Sequence, residues 1–197
     1  MRNSNTVDSK TKILNSALSL FEKNGYSGTS VNDILNEAEL TKGSFYYFFQ
    51  SKEDLLYLIH ESFIENLLYD SQEIFNSKNT TNKEKLSQLV SLLWDSLYKY
   101  KDNFTIFIQE YKYIADDDKF QVIREKRDQF ANIITQVIED GIKAGEFKSN
   151  TDPKIISFGI VGLTGWGTQW YRKDGPLSVK EINKIYLDMI LNGIENH

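Results

Sequence analysis

Apolar residues return at intervals of three and four along nearly the whole chain, and this spacing commits it to helices. Ile13, Leu14, Ala17, Leu18 and Phe21 form one stripe of a helix over about 8–23. Val31, Ile34, Leu35 and Ala38 mark a short helix over 31–38, and a third short helix runs from Lys42 to about Phe49. Leu55, Leu56, Leu58, Ile59, Phe63, Ile64, Leu67 and Leu68 define a long helix over 52–75, and Leu86, Leu89, Val90, Leu93, Trp94 and Leu97 the next. After an interruption at Lys101-Asp102-Asn103, further helices are expected over 104–114, from Asp116-Asp117-Asp118 to about 144, over 154–171 and over 178–194. Only two prolines occur in 197 residues, so little breaks these runs. No stretch alternates as a strand would, and no internal repeat is evident. The predicted class is all-α, with about nine helices.

The absence of cysteine excludes disulfides, zinc–thiolate sites, iron–sulfur clusters and cysteine nucleophiles. Only one histidine, His60, lies away from the chain end, and it has no Ser or Asp partner at a useful spacing. No HExxH motif or glycine-rich phosphate loop occurs, so no enzyme activity, cofactor or metal is expected. The first twelve residues lack the apolar core of a secretory signal. The apolar run over 155–167 is too short to span a bilayer, which leaves no membrane partner and the cytoplasm as the expected compartment.

The three short N-terminal helices have helix-turn-helix proportions. Asn24-Gly25 stops the first, with Gly25 suited to a left-handed cap. Ser30 and Asp33 are spaced as a capping box for the second, Thr41 caps the third and Ser51 the fourth. In such a unit the third helix enters a major groove while the second crosses the backbone. Thr41, Lys42, Gly43, Ser44, Tyr46 and Tyr47 suit that surface, because hydroxyls and an ammonium bind phosphate oxygens or base edges and glycine lets the backbone approach. Lys52 opens the fourth helix, where a cation opposes the helix dipole; a phosphate contact would account for it. The alternative is a small bundle with Phe45, Tyr46, Tyr47, Phe48 and Phe49 in its core, and Phe45 and Phe49, four apart, are expected there in either case. Residues 1–55 carry six cations and seven anions, so binding would rest on a few placed charges, hydroxyls and helix ends rather than on a basic coat, with a modest salt dependence.

The segment GYSGTSVNDILNEAELTKGSFYYFFQSKEDLL (25–56) resembles the DNA-binding signature of the TetR family of bacterial transcriptional regulators. The resemblance covers roughly residues 8–60. It implies a helix-turn-helix domain over 1–55 and a ligand-binding and dimerisation domain over 56–197. It implies phosphate contacts from Thr29 or Ser30, Ser44, Tyr46 and Lys52, and base-edge contacts from Asn32, Lys42, Gly43 and Tyr47. Two positions depart from the family pattern. Glu39 stands where a turn glycine is usual, at a cost of about 1 kcal/mol if it adopts the turn conformation. Phe48 replaces a common histidine, so a phosphate contact is lost or the ring packs inward.

The family also implies a homodimer built on the last two helices, a small-molecule inducer and a double-stranded operator, palindromic because two heads read it. The function expected is a ligand-responsive repressor, the family's majority behaviour, with the helix over 52–75 as lever between body and head and recognition helices about 34 Å apart. Trp94, Tyr98, Phe104, Phe107, Tyr111, Phe130, Phe158, Trp166 and Trp170 are candidates for an apolar ligand lining, although each taken singly suits a helical core. WYRKDGPLSVKEI (170–182) resembles the corresponding region in the branch that regulates fatty-acid and steroid breakdown and responds to acyl-CoA thioesters. Arg124, Lys126 and Arg127 would then meet CoA phosphates, or else line a solvated helix face. For the dimer, Ser157, Gly159, Gly162 and Gly165 would permit close approach, with Leu163, Trp166, Leu187, Ile190 and Leu191 supplying apolar area. The remaining alternative is a helical ligand-binding or scaffold module without a DNA partner.

Overall fold

The computed structural model describes residues 2–115, 117–150 and 152–195, the first seven of them by backbone alone. Among the described residues there are nine α-helices and no strand: α1 (Arg2–Asn24), α2 (Val31–Ala38), α3 (Lys42–Phe48), α4 (Lys52–Asn76), α5 (Asn82–Lys99), α6 (Lys101–Gln109), α7 (Gln121–Lys143), α8 (Pro153–Trp170) and α9 (Val179–Ile194). Two 3₁₀ turns, Glu110–Tyr113 and Asp118–Phe120, lie between α6 and α7. No described helix is long and apolar enough to cross a membrane.

The chain forms two compact units. The first combines Met1–Phe63 with Asp102–Ile123. In it α1, α2 and α3 pack on one another, and Ile13, Ala17, Phe21, Ile34, Leu35 and Phe45 are buried between them. The second combines Ile64–Lys101 with Arg124–His197. There α5 packs on α8 and α9, and the predicted stripe Leu86, Leu89, Val90, Leu93, Trp94 and Leu97 is buried in full.

Four boundaries differ from expectation. α1 starts at Arg2, well before residue 8. α6 starts at Lys101, so the polar triplet 101–103 is its first turn rather than a break; Asp102 suits the positive end of the helix, and the interruption falls on Tyr100 (φ −126°, ψ 48°). The expected helix over 104–114 ends at Gln109 and tightens into a 3₁₀ turn, a common way for a helix to finish. Likewise α7 begins at Gln121. Before it, Asp117 accepts a hydrogen bond from the Lys119 amide and caps a 3₁₀ turn that buries Phe120. Asp116 lies outside the described residues.

Candidate nucleic-acid interface

The geometry of α2 and α3 follows from three polar side chains and one strained residue. Ser30 Oγ accepts the Asp33 amide at 3.1 Å while the Asp33 carboxylate accepts the Ser30 amide at 2.8 Å, closing the capping box. Hydrogen bonds from Ser30 hold the Asp33 carboxyl below its ordinary value. α2 stops at Glu39, which adopts the left-handed conformation (φ 55°, ψ 43°) that a glycine would take at no steric cost. Its amide reaches Asn36 O and Leu35 O, and Leu40 N donates to Leu35 O at 3.0 Å. The chain reverses within three residues. Thr41 Oγ1 then accepts the Ser44 amide at 3.3 Å and starts α3.

α3 therefore has a fixed inner and outer face. Phe45 (0% exposed) and Phe49 are buried, with ring centroids 5.7 Å apart. Thr41, Lys42 and Gly43 are exposed, and Tyr46 and Tyr47 stand 59% and 74% exposed. A Cβ on Gly43 would meet only Thr41 Oγ1, at 3.7 Å, so the backbone there is open to approach. Ser30 and Asn32 are exposed at the start of α2, and Ser44 is half-buried. Phe48 is half-buried and sits edge-on to Tyr47, with centroids 4.8 Å apart, which steadies the tyrosine beside it.

Two of the predicted contact residues face the protein itself. Thr29 is buried, its hydroxyl directed at Gly25 O (2.9 Å) and Leu20 O (3.2 Å). Lys52 Nζ donates to Tyr26 O and to Thr29 O, both at 2.7 Å, and lies 4.1 Å from the centre of the Tyr26 ring. Burial lowers the Lys52 ammonium against the opposing charges of Glu110 and Glu53. Burial and the charges of Glu53 and Asp117 push the Tyr26 hydroxyl up to about 12, so it keeps its proton. At the start of α4, Ser51 Oγ accepts the Asp54 amide at 3.3 Å. The Asp54 carboxylate takes the Gln50 and Ser51 amides, and Lys119 Nζ at 2.7 Å. Sequence reasoning missed Glu110 and Tyr113, which hold the turn before α2; they lie 84 and 86 residues from their partners, and no local pattern signals such a pairing.

The nine candidate lining aromatics separate into groups. In the first unit Phe104 and Phe107 are buried against Phe63, at 5.7 and 4.9 Å, and Phe107 lies 5.5 Å from the His60 ring; Tyr111 is exposed. In the second unit Trp94, 1% exposed, makes tilted ring contacts with Tyr186 (4.9 Å) and Trp170 (5.9 Å), Phe130 is buried on α7, and Lys173 Nζ lies 5.2 Å from the Tyr98 ring. A recess of ≈ 180 Å³ opens between Trp170, Arg172, Pro176, Leu177 and Ile182. Phe158 (54% exposed) and Trp166 (67% exposed) point outward from α8 together with Ile155 and Leu163. Beside them Gly159 and Gly162 have open space where a Cβ would stand, and α9 adds exposed Ile185 and Met189. Ser157 and Gly165 are buried instead, Ser157 donating to Ala131 O. Leu187, Ile190 and Leu191 are half-buried. Of the three α7 cations considered for CoA phosphates, Lys126 is paired with Glu65 at 2.5 Å, while Arg124 and Arg127 are half-buried.

Residues 13–57 match the description "Bacterial regulatory proteins, tetR family", and residues 79–194 match "Tetracyclin repressor-like, C-terminal domain". The chain belongs to the TetR family. It is a ligand-responsive, DNA-binding transcriptional regulator of that family, whose members act as dimers. Among curated TetR relatives, the HTH-type transcriptional repressor KstR2 of Rhodococcus jostii (strain RHA1) is 29% identical over 186 residues, covering 94% of this chain and 90% of that protein. The fatty acid metabolism regulator protein of Bacillus subtilis (strain 168) is 27% identical over 192 residues, covering 94% and 95%. Among solved TetR structures, the ketosteroid transcriptional regulator KstR2 of Mycobacterium tuberculosis superposes with a TM-score of 0.89 at 26% identity over 95% of each chain.

Proposed function

We propose that this chain is a repressor that reads a palindromic operator with a head drawn from residues 1–55, and that a largely apolar, lipid-derived inducer bound within residues 56–197 releases it. The observation that carries the DNA half is the outer face of α3. Tyr46 and Tyr47 are held out in water beside Lys42 and Gly43 while Phe45 and Phe49 anchor the helix from behind. Two large exposed rings on a seven-residue helix are costly to leave bare and suit contact with base edges and phosphates. Lys42, Gly43 and Tyr47 read bases, Asn32 reaches the groove edge from α2, and Thr41, Ser44, Tyr46 and Ser30 hold phosphates.

Dimerisation through α8 and α9 is supported by their outward apolar stripe, Ile155, Phe158, Leu163, Trp166, Ile185 and Met189, with bare glycines between. An acyl-CoA thioester is the inducer class favoured by the resemblance to regulators of fatty-acid and steroid metabolism and by the number of large rings in the helical body. The test has two stages. Wild-type protein selects duplexes from a random library, and anisotropy at two salt concentrations compares it with Lys42→Ala and Tyr47→Ala. Salt-dependent binding lost in both variants supports the repressor, and binding that survives both refutes it. An acyl-CoA panel is then scored for thermal stabilisation and operator release. No stabilisation at saturating concentrations excludes that inducer class.

A further inference from the structure

The turn between α1 and α2 is held both by its own bonds, the Thr29 hydroxyl on Gly25 O and the Thr29 amide on Tyr26 O, and by side chains from elsewhere. Gly25, at φ +73°, donates its amide to Phe21 O and ends α1. Beyond it three backbone groups take distant partners. The Tyr26 amide donates to Glu110 Oε1 at 3.0 Å, and the carbonyls of Tyr26 and Thr29 accept from Lys52 Nζ at 2.7 Å each. Glu110 is only 7% exposed, and a Cβ on Gly25 would stand 3.4 Å from its carboxylate. The Tyr26 ring lies edge-on to Phe21 (5.3 Å), 5.1 Å from Tyr113 and under the Lys52 ammonium. The hydroxyls of Ser27 and Tyr113 share a hydrogen bond. Glu110 and Lys52 thus hold one peptide segment through its amide and its carbonyls, and the two side chains carry opposite charge.

We infer that Lys52 and Glu110 are positioning residues for operator binding: they fix the 25–30 turn so that α2 starts in the register that presents α3, and the Lys52 charge is spent on the turn rather than on a phosphate. Thr29 O, the second Lys52 acceptor, directly precedes Ser30, the N-cap of α2. Displacement of that carbonyl displaces the first turn of α2, and the three-residue reversal at Glu39–Thr41 passes the displacement to α3. Of the three protons on the ammonium, two are on carbonyls, and one flank of the group is covered by the Tyr26 ring. A phosphate would compete for this ammonium with two short hydrogen bonds and the face of the Tyr26 ring.

This inference rests on the repressor reading, and the experiment separates the two. Full-length Lys52→Met, Glu110→Ala, Glu110→Gln and Lys42→Ala are titrated by anisotropy against a duplex selected by the wild type, across a salt series. Failure of the wild type to select any duplex, or binding without salt dependence, sinks the repressor reading itself. With wild-type binding in hand, Lys52→Met and Glu110→Ala are expected to lose about tenfold or more in affinity, the scale of hydrogen bonds made by charged groups. Their slopes of log K against log salt stay at the wild-type value, whereas loss of a cation that neutralised a phosphate would lower the slope by about 0.9. Glu110→Gln keeps an acceptor for the Tyr26 amide and retains most of the affinity. Hydrogen exchange shows protection lost over 25–31 and kept in α5, α8 and α9. The inference is overturned by a Lys52→Met slope lowered by about 0.9, which makes the lysine a phosphate contact. It is equally overturned by unchanged affinity in Lys52→Met and Glu110→Ala, by a Gln variant as weak as the Ala variant, or by protection lost throughout the chain.

Discussion

Glu39 offers a quantitative test of how the reading head is built. It holds φ 55° and ψ 43° at the end of α2, where its Cβ is crowded by the backbone. Such a conformation costs a non-glycine residue about 1–2 kcal/mol. Glycine removes that strain but gives the unfolded chain more freedom, worth about 0.5–1 kcal/mol against alanine. Glu39→Gly should therefore exceed Glu39→Ala by about 0.5–1 kcal/mol, which is about 1–4 °C in Tm for a chain of this size. Alanine keeps the strain but removes a carboxylate from the negative end of α2, so it should exceed the wild type by about 0.3 kcal/mol or slightly more. Asparagine tolerates the left-handed region without glycine's extra freedom and should fall between alanine and glycine. Thermal and denaturant unfolding followed by circular dichroism gives the order. All three changes remove the same negative charge beside the DNA face, so all should tighten operator binding by similar factors. An alanine variant as stable as the glycine variant would refute the claim that Glu39 is strained.

Other perturbations test other parts of the molecule. Gly141→Ala should destabilise by about 1–3 kcal/mol in denaturant titration, because its Cβ would stand 2.3 Å from the ring of Phe147, itself fully buried. Burial raises the Glu146 carboxyl, but donations from the Lys83 amide, the Asn82 side chain and the Asn82 amide outweigh it and leave the group below its ordinary value of 4.5. Its contribution is thus complete above pH 4.5 and is lost as pH falls toward the depressed folded value; Glu146→Gln should flatten that part of the stability profile. Trp166→Glu places a charge in the exposed apolar stripe of α8 and should yield monomers in sedimentation and abolish tight operator binding; a stable dimer would move the interface elsewhere.

Where local chemistry decides, the chain could be read directly. The Ser30–Asp33 capping box, the left-handed Gly25 and the non-glycine turn at Glu39 each follow from residues within a few positions of one another, and each stands as expected. The stripe over 86–97 was legible because burial on a long helix repeats at a fixed period. Local patterning failed where distant partners decide. Lys52 looked like a cation misplaced at a helix start, and only the fold brings the carbonyls of Tyr26 and Thr29 to it. The polar triplet 101–103 looked like a break because charges near a helix start and charges in a loop have the same composition. Aromatic side chains were the least informative, since Phe104 in a core and Trp166 on a surface have the same helical spacing and differ only in what lies opposite.

The first compact unit is not one continuous stretch of chain. Residues 102–123 return to it, and Tyr26, Ser27 and Asp54 lean on Glu110, Tyr113 and Lys119. A hybrid regulator made by grafting residues 1–55 onto a foreign body would leave behind the partners of an amide, a hydroxyl and a carboxylate. The cassette that can be exchanged between regulators, by recombination or by engineering, is therefore discontinuous: a graft that keeps the head's own supports carries the 102–123 insert along with the N-terminal piece.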